Sequence, residues 1–272
     1  MNWRQKVETP TYWHRQMADK PYFERLLWNK PETRAHSGKL LIIGGNKFSL
    51  TAPGIAFAAA SKAGIGTARV LLPEAVRKTI GKTFDEGEFA PSNPSGSFSN
   101  KALAQFVDES QWADMVMLAG DFGRNSETAV LLDEFLMRYG GPVVLSGDTL
   151  LYFLSSPRKL LCRPNTLIVL GLSQLQKLAQ AWQPPVLIKH SLSLHALVGV
   201  LNGWTKENRS MILTYQPQHY VLALNEQVST TPAEERADWQ VPLAATSAVW
   251  WAQQPSQPFE AITTAIFDYS KV

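Results

Sequence analysis

The strongest constraint on this chain is an alternation that starts at residue 39. Short apolar runs ending in glycine or proline alternate with longer helix-patterned segments. Lys39–Ile43 runs into Gly44-Gly45, Thr67–Leu72 into Pro73, Met115–Ala119 into Gly120, Val143–Ser146 into Gly147, and Leu167–Leu170 into Gly171. Apolar runs this short and this continuous fit strands buried on both faces. Helices are predicted between them at 53–63, 74–82, 101–109, 126–139, 173–181 and 194–204, with closing helices at 244–253 and 258–267. Pro53 suits a first helical turn, and Gly64 suits a helix end. Parallel strands need crossover helices. The pattern therefore predicts an α/β protein, a mostly parallel sheet with helices on both faces.

Some segments depart from that rhythm. Val186–Lys189 is predicted as a short strand, Met211–Tyr215 as another, and Thr149–Leu154 as a helical turn. Tyr220–Leu224 and Gln227–Thr230 are predicted to form a hairpin turning at Asn225-Glu226. Residues 91–99 are a loop, and residues 1–35 an irregular leader with a short helix near 21–28. The leader carries Trp3, Tyr12, Trp13, Tyr22, Phe23 and Trp28, and aromatic rings at this density seek a groove to bury in. It is expected to pack on a single domain formed by residues 36–272.

Charge narrows the function classes. The formal net charge is +3, and residues 1–39 hold eight Lys/Arg against four Asp/Glu, so the rest of the chain is close to neutral. A surplus that small gives no footprint for nucleic acid. Charged residues make up only 18% of a chain that is 45% hydrophobic, which argues against disorder. No apolar stretch is long enough for a membrane span. The opening residues have no apolar core of a signal peptide, and a cytoplasmic location is expected. Cys162 is the lone cysteine, so no intrachain disulfide or cysteine-based zinc site is available. His14, His36, His190, His195 and His219 show no metal-ligand spacing, and no metal is expected.

In folds of this class, ligands gather beyond the carboxyl ends of the strands. Gly44, Gly45 and Asn46 follow the first such strand and precede a helix whose start holds Ala52. Glycines there let backbone approach a ligand, and a helix N-terminus favours an anion. A strand-to-helix turn that needs positive φ would also require glycine. Gly120-Asp121-Phe122-Gly123-Arg124 and Gly147-Asp148 occupy the equivalent places after two further strands. Asp148 is suited to bind a ligand hydroxyl or a metal, or to cap a helix.

The run His36-Ser-Gly-Lys-Leu-Leu-Ile-Ile-Gly-Gly-Asn46, then Ala52-Pro53, then Ala58-Ala-Ala-Ser-Lys-Ala-Gly-Ile-Gly66, resembles the opening of the ADP/ATP-dependent NAD(P)H-hydrate dehydratases. That opening reads roughly HKG, a strand, GGS, GAP, an alanine-rich helix and GAG. Here Ser37 replaces Lys, Asn46 replaces Ser, and Thr51 replaces Gly. The family's GPGLGR and DADAL landmarks are similar to Ala119–Arg124 and Ser146–Leu150. The resemblance spans residues 31–155 and thins beyond.

It implies a ribokinase-like fold, ATP or ADP as cofactor, and a nucleotide or other small-molecule ligand held by Gly44, Gly45, Asn46, Ala52, Asp121 and Asp148. A homo-oligomer is compatible with it. The family's PHxGE segment would fall at Leu170–Gln174, its KGAGT nucleotide turn at Thr214–Gln218, and its GGTGD anion hole at 233–239. None of the three is matched, and 233–239 contains no glycine. Asp238 is the carboxylate nearest the position of the catalytic Asp. An anion hole needs close backbone amides, and Glu234 with Glu235 in its place would repel a polyphosphate. Asp121, where the family has a glycine, should favour a hydroxyl or cationic group over phosphate.

Three readings follow. One is a degenerate, non-catalytic ligand-binding member of the family. Another is an active dehydratase with a remodelled site. The third is a small-molecule kinase of the same fold.

Overall fold

The computed structural model describes residues 10–31, 33–182, 187–234 and 236–271. Ten strands form one sheet: β1 (Trp13–Arg15), β2 (Lys39–Gly44), β3 (Thr67–Pro73), β4 (Gly87–Ala90), β5 (Met115–Gly120), β6 (Val143–Leu145), β7 (Thr166–Leu170), β8 (Met211–Gln216), β9 (His219–Leu224) and β10 (Gln227–Pro232). Their order is β1-β10-β9-β8-β7-β6-β5-β2-β3-β4. Every pairing is parallel except those of β9, which runs against both β8 and β10.

The helices are α1 (Arg25–Trp28), α2 (Thr51–Ala63), α3 (Arg77–Ile80), α4 (Leu103–Trp112), α5 (Ser126–Arg138), α6 (Pro157–Leu161), α7 (Leu172–Ala181), α8 (Leu194–Glu207), α9 (Gln240–Gln253) and α10 (Pro258–Ser270). Successive residues of β2 enter opposite cores. Leu41 and Ile43 join the core under α4, α5, α7 and α8. Leu40 and Ile42 join the core under α2, α9 and α10. Burial on both faces is why these strands carry no polar alternation.

Local signals largely predicted the elements. α2 begins two residues before the expected start and ends at Gly64, whose φ of +88° suits a residue without Cβ. The hairpin turns at Asn225 and Glu226, both at positive φ. Four segments differ from expectation. Trp13–Arg15 lies in the expected irregular leader but pairs with β10 as an edge strand. β4 and α6 were not anticipated, being short elements stabilised by their neighbours rather than by their own pattern. Residues 187–189 form no strand, and Val186 lies outside the described residues.

Beyond β1, the leader is fixed by specific contacts. The Gln16 side-chain amide donates to the Thr231 hydroxyl (2.8 Å) and the Thr263 carbonyl (3.1 Å). Its oxygen accepts the Tyr22 N–H (3.0 Å), and Leu26 is buried against α10. Trp28 stays 86% exposed, so not every leader aromatic is covered, and Trp3 lies outside the described residues.

Candidate functional site

β2 is flanked by β3 on one side and β5 on the other, so the chain direction of winding reverses between β2 and β5. Ligands collect at such a reversal. Gly44 and Gly120 end these two strands in contact. A Cβ on Gly44 would lie 2.6 Å from the Gly120 carbonyl oxygen, and the Gly45 N–H donates to that oxygen at 3.0 Å. Gly45 is at φ +86°. Gly44 is required by the approach of the Gly120 backbone and Gly45 by its positive φ, and neither lines the cavity, which Gly120 does. Asn46 is also buried. Its side chain donates to the Asp121 carbonyl (2.6 Å) and accepts the Phe48 N–H (2.8 Å), bracing the wall behind the cavity.

The cavity itself has a volume of about 360 Å³ and opens past the ends of β5 and β6. Ala52, Asp121, Asp148 and Asp238 line it, together with Thr51 and Gln240. Of the expected site residues, these four are brought together, while Gly44, Gly45 and Asn46 form its support.

Each carboxylate is placed differently. Asp121 sits at φ +60°, in the left-handed region that Asp tolerates better than most residues. Its Oδ2 accepts the Ala52 N–H (2.8 Å) and the Ser49 hydroxyl (2.7 Å), so it caps α2 from another loop. Asp148 Oδ1 accepts the Asp121 N–H at 2.9 Å. Burial pushes the Asp148 carboxyl above its usual pKa, against the opposing pull of that hydrogen bond and of Arg124. The Tyr152 hydroxyl donates to the Gly123 carbonyl, and burial raises its pKa to about 12.

Asp238 arrives from the far end of the chain. It is exposed, at φ +55°, two residues before the start of α9, whose N-terminus has no side-chain cap. The next residue, Trp239, turns away from the cavity. Its ring packs against Tyr220 (centroids 5.2 Å apart) and Tyr215 (6.1 Å). Arg236 donates to the Tyr269 and Ser270 carbonyls at the end of α10.

Gln240 and the Gln174 side chain behind it were not predicted at the site. Gln240 lines the cavity, and Gln174 bonds to it at 2.7 Å. A Gln three residues after the N-cap of a helix is a capping signal visible in sequence. Its second partner, far along the chain, is not. Among the described residues, no three His, Cys, Asp or Glu side chains stand close enough to hold a metal ion, and no helix is long and apolar enough to cross a membrane.

A mostly parallel sheet flanked by helices, with a strand-end cavity at the winding reversal, defines a doubly wound α/β protein, and superposition on solved structures makes the fold ribokinase-like. The chain superposes on a ribokinase-like superfamily protein from Enterococcus faecalis with a TM-score of 0.73, at 14% identity, over 97% of this chain and 88% of that one. It superposes on the ADP/ATP-dependent NAD(P)H-hydrate dehydratase of Bacillus subtilis, co-crystallized with ATP/Mg2+ and soaked with CoA, with a TM-score of 0.64 at 13% identity, covering 91% and 86%. The pyridoxal kinase of Staphylococcus aureus, in complex with AMP-PCP, gives a TM-score of 0.54 at 11% identity, covering 84% and 85%. Identities this low show the fold alone. In sequence, the chain is 32% identical over 121 residues to the bifunctional NAD(P)H-hydrate repair enzyme Nnr of Methanocaldococcus jannaschii. That match covers 43% of this chain and 23% of the relative, so the chain spans about a quarter of the curated protein it matches. No family model matches the chain.

Proposed function

We propose that this chain is a NAD(P)H-hydrate dehydratase-like protein that binds a small polar ligand in the strand-end cavity without nucleotide-driven chemistry. One observation carries the reading. The two segments where the family resemblance puts the nucleotide turn and the anion hole, Thr214–Gln218 and 233–239, are joined by aromatic packing of Tyr215 and Tyr220 on Trp239. This packing buries Trp239 away from the cavity, and neither segment holds a glycine that would bring backbone amides close to phosphates.

The residues present do not fit ATP or ADP. The charged side chains lining the cavity are Asp121, Asp148 and Asp238. Carboxylates repel phosphate oxygens and attract cations or hydroxyl donors. Phosphoryl transfer depends on cationic and amide stabilisation of developing charge, which these groups do not supply.

A second reading, an active dehydratase with a remodelled site, is favoured by one feature. Asp238 reaches the cavity beside the uncapped start of α9. Thermal-shift measurements with ATP, ADP, NADH and NADPH separate the two, because a ligand that binds only the folded state raises the melting temperature. The proposal expects no shift with ATP or ADP, and at most slow ATP-dependent dehydration of hydrated NADH or NADPH. Turnover of about 1 per second or faster, within the usual enzyme range, overturns it.

A further inference from the structure

We infer that Gln174 is the residue that sets which ligands the cavity accepts, by fixing the side-chain amide of Gln240 so that its oxygen is left for the ligand. The inference rests on the ligand-binding reading above. It follows from a chain of hydrogen bonds anchored at both ends on backbone.

The Gly171 N–H can only donate, and it bonds to Gln174 Oε1 at 2.9 Å. The Gly147 carbonyl can only accept, and Gln174 Nε2 bonds to it at 2.7 Å. The two backbone groups together admit one orientation of the Gln174 amide. Gln174 Oε1 then has one further partner, Gln240 at 2.7 Å, and that partner must present its Nε2. Amide orientation is ordinarily an assignment from the hydrogen-bond network, and here the backbone makes the assignment.

The clasp ties three turns that frame the cavity: the ones after β6 and β7 and the start of α9. Space is reserved for it, since a Cβ on Gly171 would lie 2.9 Å from Gln240 Nε2. Gln240 Oε1 has no partner among the described residues, and Gln240 lines the cavity. Apart from the Thr51 hydroxyl, the polar side chains of the wall present acceptors: this oxygen beside the carboxylates of Asp121, Asp148 and Asp238. Such a wall selects ligands rich in N–H or O–H donors, above all flat nitrogen cations, and rejects acceptor-only anions of the same shape.

A glutamate at position 174 would keep the two accepted bonds and lose the donated one, placing a carboxylate oxygen against the Gly147 carbonyl. Only its protonated form restores a donor, so its folded pKa would rise above the unfolded one. The stability lost by Gln174→Glu would then be recovered as pH falls.

Benzamidinium and benzoate share a shape and differ in presenting donors or acceptors. In calorimetric titrations at fixed salt, wild type is expected to bind benzamidinium at least about tenfold more tightly than benzoate, the size of one hydrogen bond to a charged group. In Gln174→Met, which removes the clasp at similar side-chain length, the Gln240 amide turns freely and this ratio narrows about fivefold or more. Binding of both probes with the same ratio in wild type and variant overturns the role of Gln174. Binding of neither probe by wild type overturns the ligand-binding reading instead. The clasp is tested independently by melting temperature. The deficit of Gln174→Glu relative to wild type should shrink between about pH 7.5 and about pH 5. A deficit that does not change with pH overturns it.

Discussion

The carboxylate of Asp121, at the end of β5, holds the N–H of Ala52, 69 residues earlier in the chain, at 2.8 Å and so caps the start of α2. Part of the cavity's negative charge is therefore also structural. A capping carboxylate satisfies a helix N–H that would otherwise be unpaired, and its charge opposes the positive end of the helix dipole.

Replacing Asp121 separates the cap from the backbone strain. Asp121→Ala loses the cap and keeps a left-handed φ, and should destabilise by about 1–2 kcal/mol. Asp121→Gly loses the same cap but relaxes the backbone, and should melt higher than Asp121→Ala. Thermal melts of the two variants check the order. Asp121→Gly also removes a carboxylate from the cavity, so calorimetry in the same salt should show tighter binding of adenine or nicotinamide nucleotides than wild type. Equal affinity would mean that the Asp121 charge is fully engaged by Ala52 and Ser49.

Asp148 offers a split between stability and binding. Its carboxyl is pushed up by burial, so its folded pKa lies above the unfolded value and its ionisation weakens the fold as pH rises. Asp148→Asn keeps an acceptor for the Asp121 N–H and removes the buried charge. The variant should match or exceed wild type in melting temperature near neutral pH while binding benzamidinium several-fold more weakly. A lower melting temperature at neutral pH would show that the charge itself is needed.

The leader should sensitise the protein to acid. His14 packs on Tyr22 and Phe259, with ring centroids 5.1 and 5.3 Å away. Burial lowers its pKa below 6.5, with Glu260 opposing. Burial likewise lowers that of His219 on β9. A lowered folded pKa stabilises the fold above the unfolded value and withdraws that stability as pH falls. Melting temperature should decline as pH drops below about 6.5, and the decline should be shallower in a His14→Gln/His219→Gln variant. Parallel acid limbs in the two proteins would exclude these histidines as the cause.

Leu26 tests how firmly the leader is held. It is 1% exposed and packs with Trp250, Ala261 and Ala265. Leu26→Ala should cost about 2–5 kcal/mol, the range for truncating a buried leucine. Deleting residues 1–28 should also lower the melting temperature, since the deletion removes β1 and the Gln16 hydrogen bonds as well. An unchanged melting temperature for the deletion would mean that the leader adds nothing to the stability of the domain.

The central strands and their order of appearance were legible because each is specified locally, while the short β1 and β4 were not. An apolar run such as Leu40–Ile43 can be satisfied only between two helix layers, and a glycine at its end permits the turn. The pair Gly44-Gly45 was legible as well, though its meaning changed. The sequence suggests a ligand at these glycines, and the structure shows that Gly44 admits the Gly120 carbonyl while Gly45 adopts a positive φ. Asp121 and Asp148 follow the ends of β5 and β6 as the same local pattern expects, and Ala52 lies in the first turn of α2.

What only tertiary structure decided are the pairings between distant turns. Trp13 lies opposite Val228 in the sheet, Gln174 meets Gln240 across 66 residues, and Asp238 joins Asp121 and Asp148 in one cavity. Periodicity and turn chemistry act over a few residues, and they fix what each segment becomes. Which turn lies beside which is set by the winding of the sheet and by the packing of α2 and α9 over it, and the direction of one amide then depends on backbone groups contributed by two other turns.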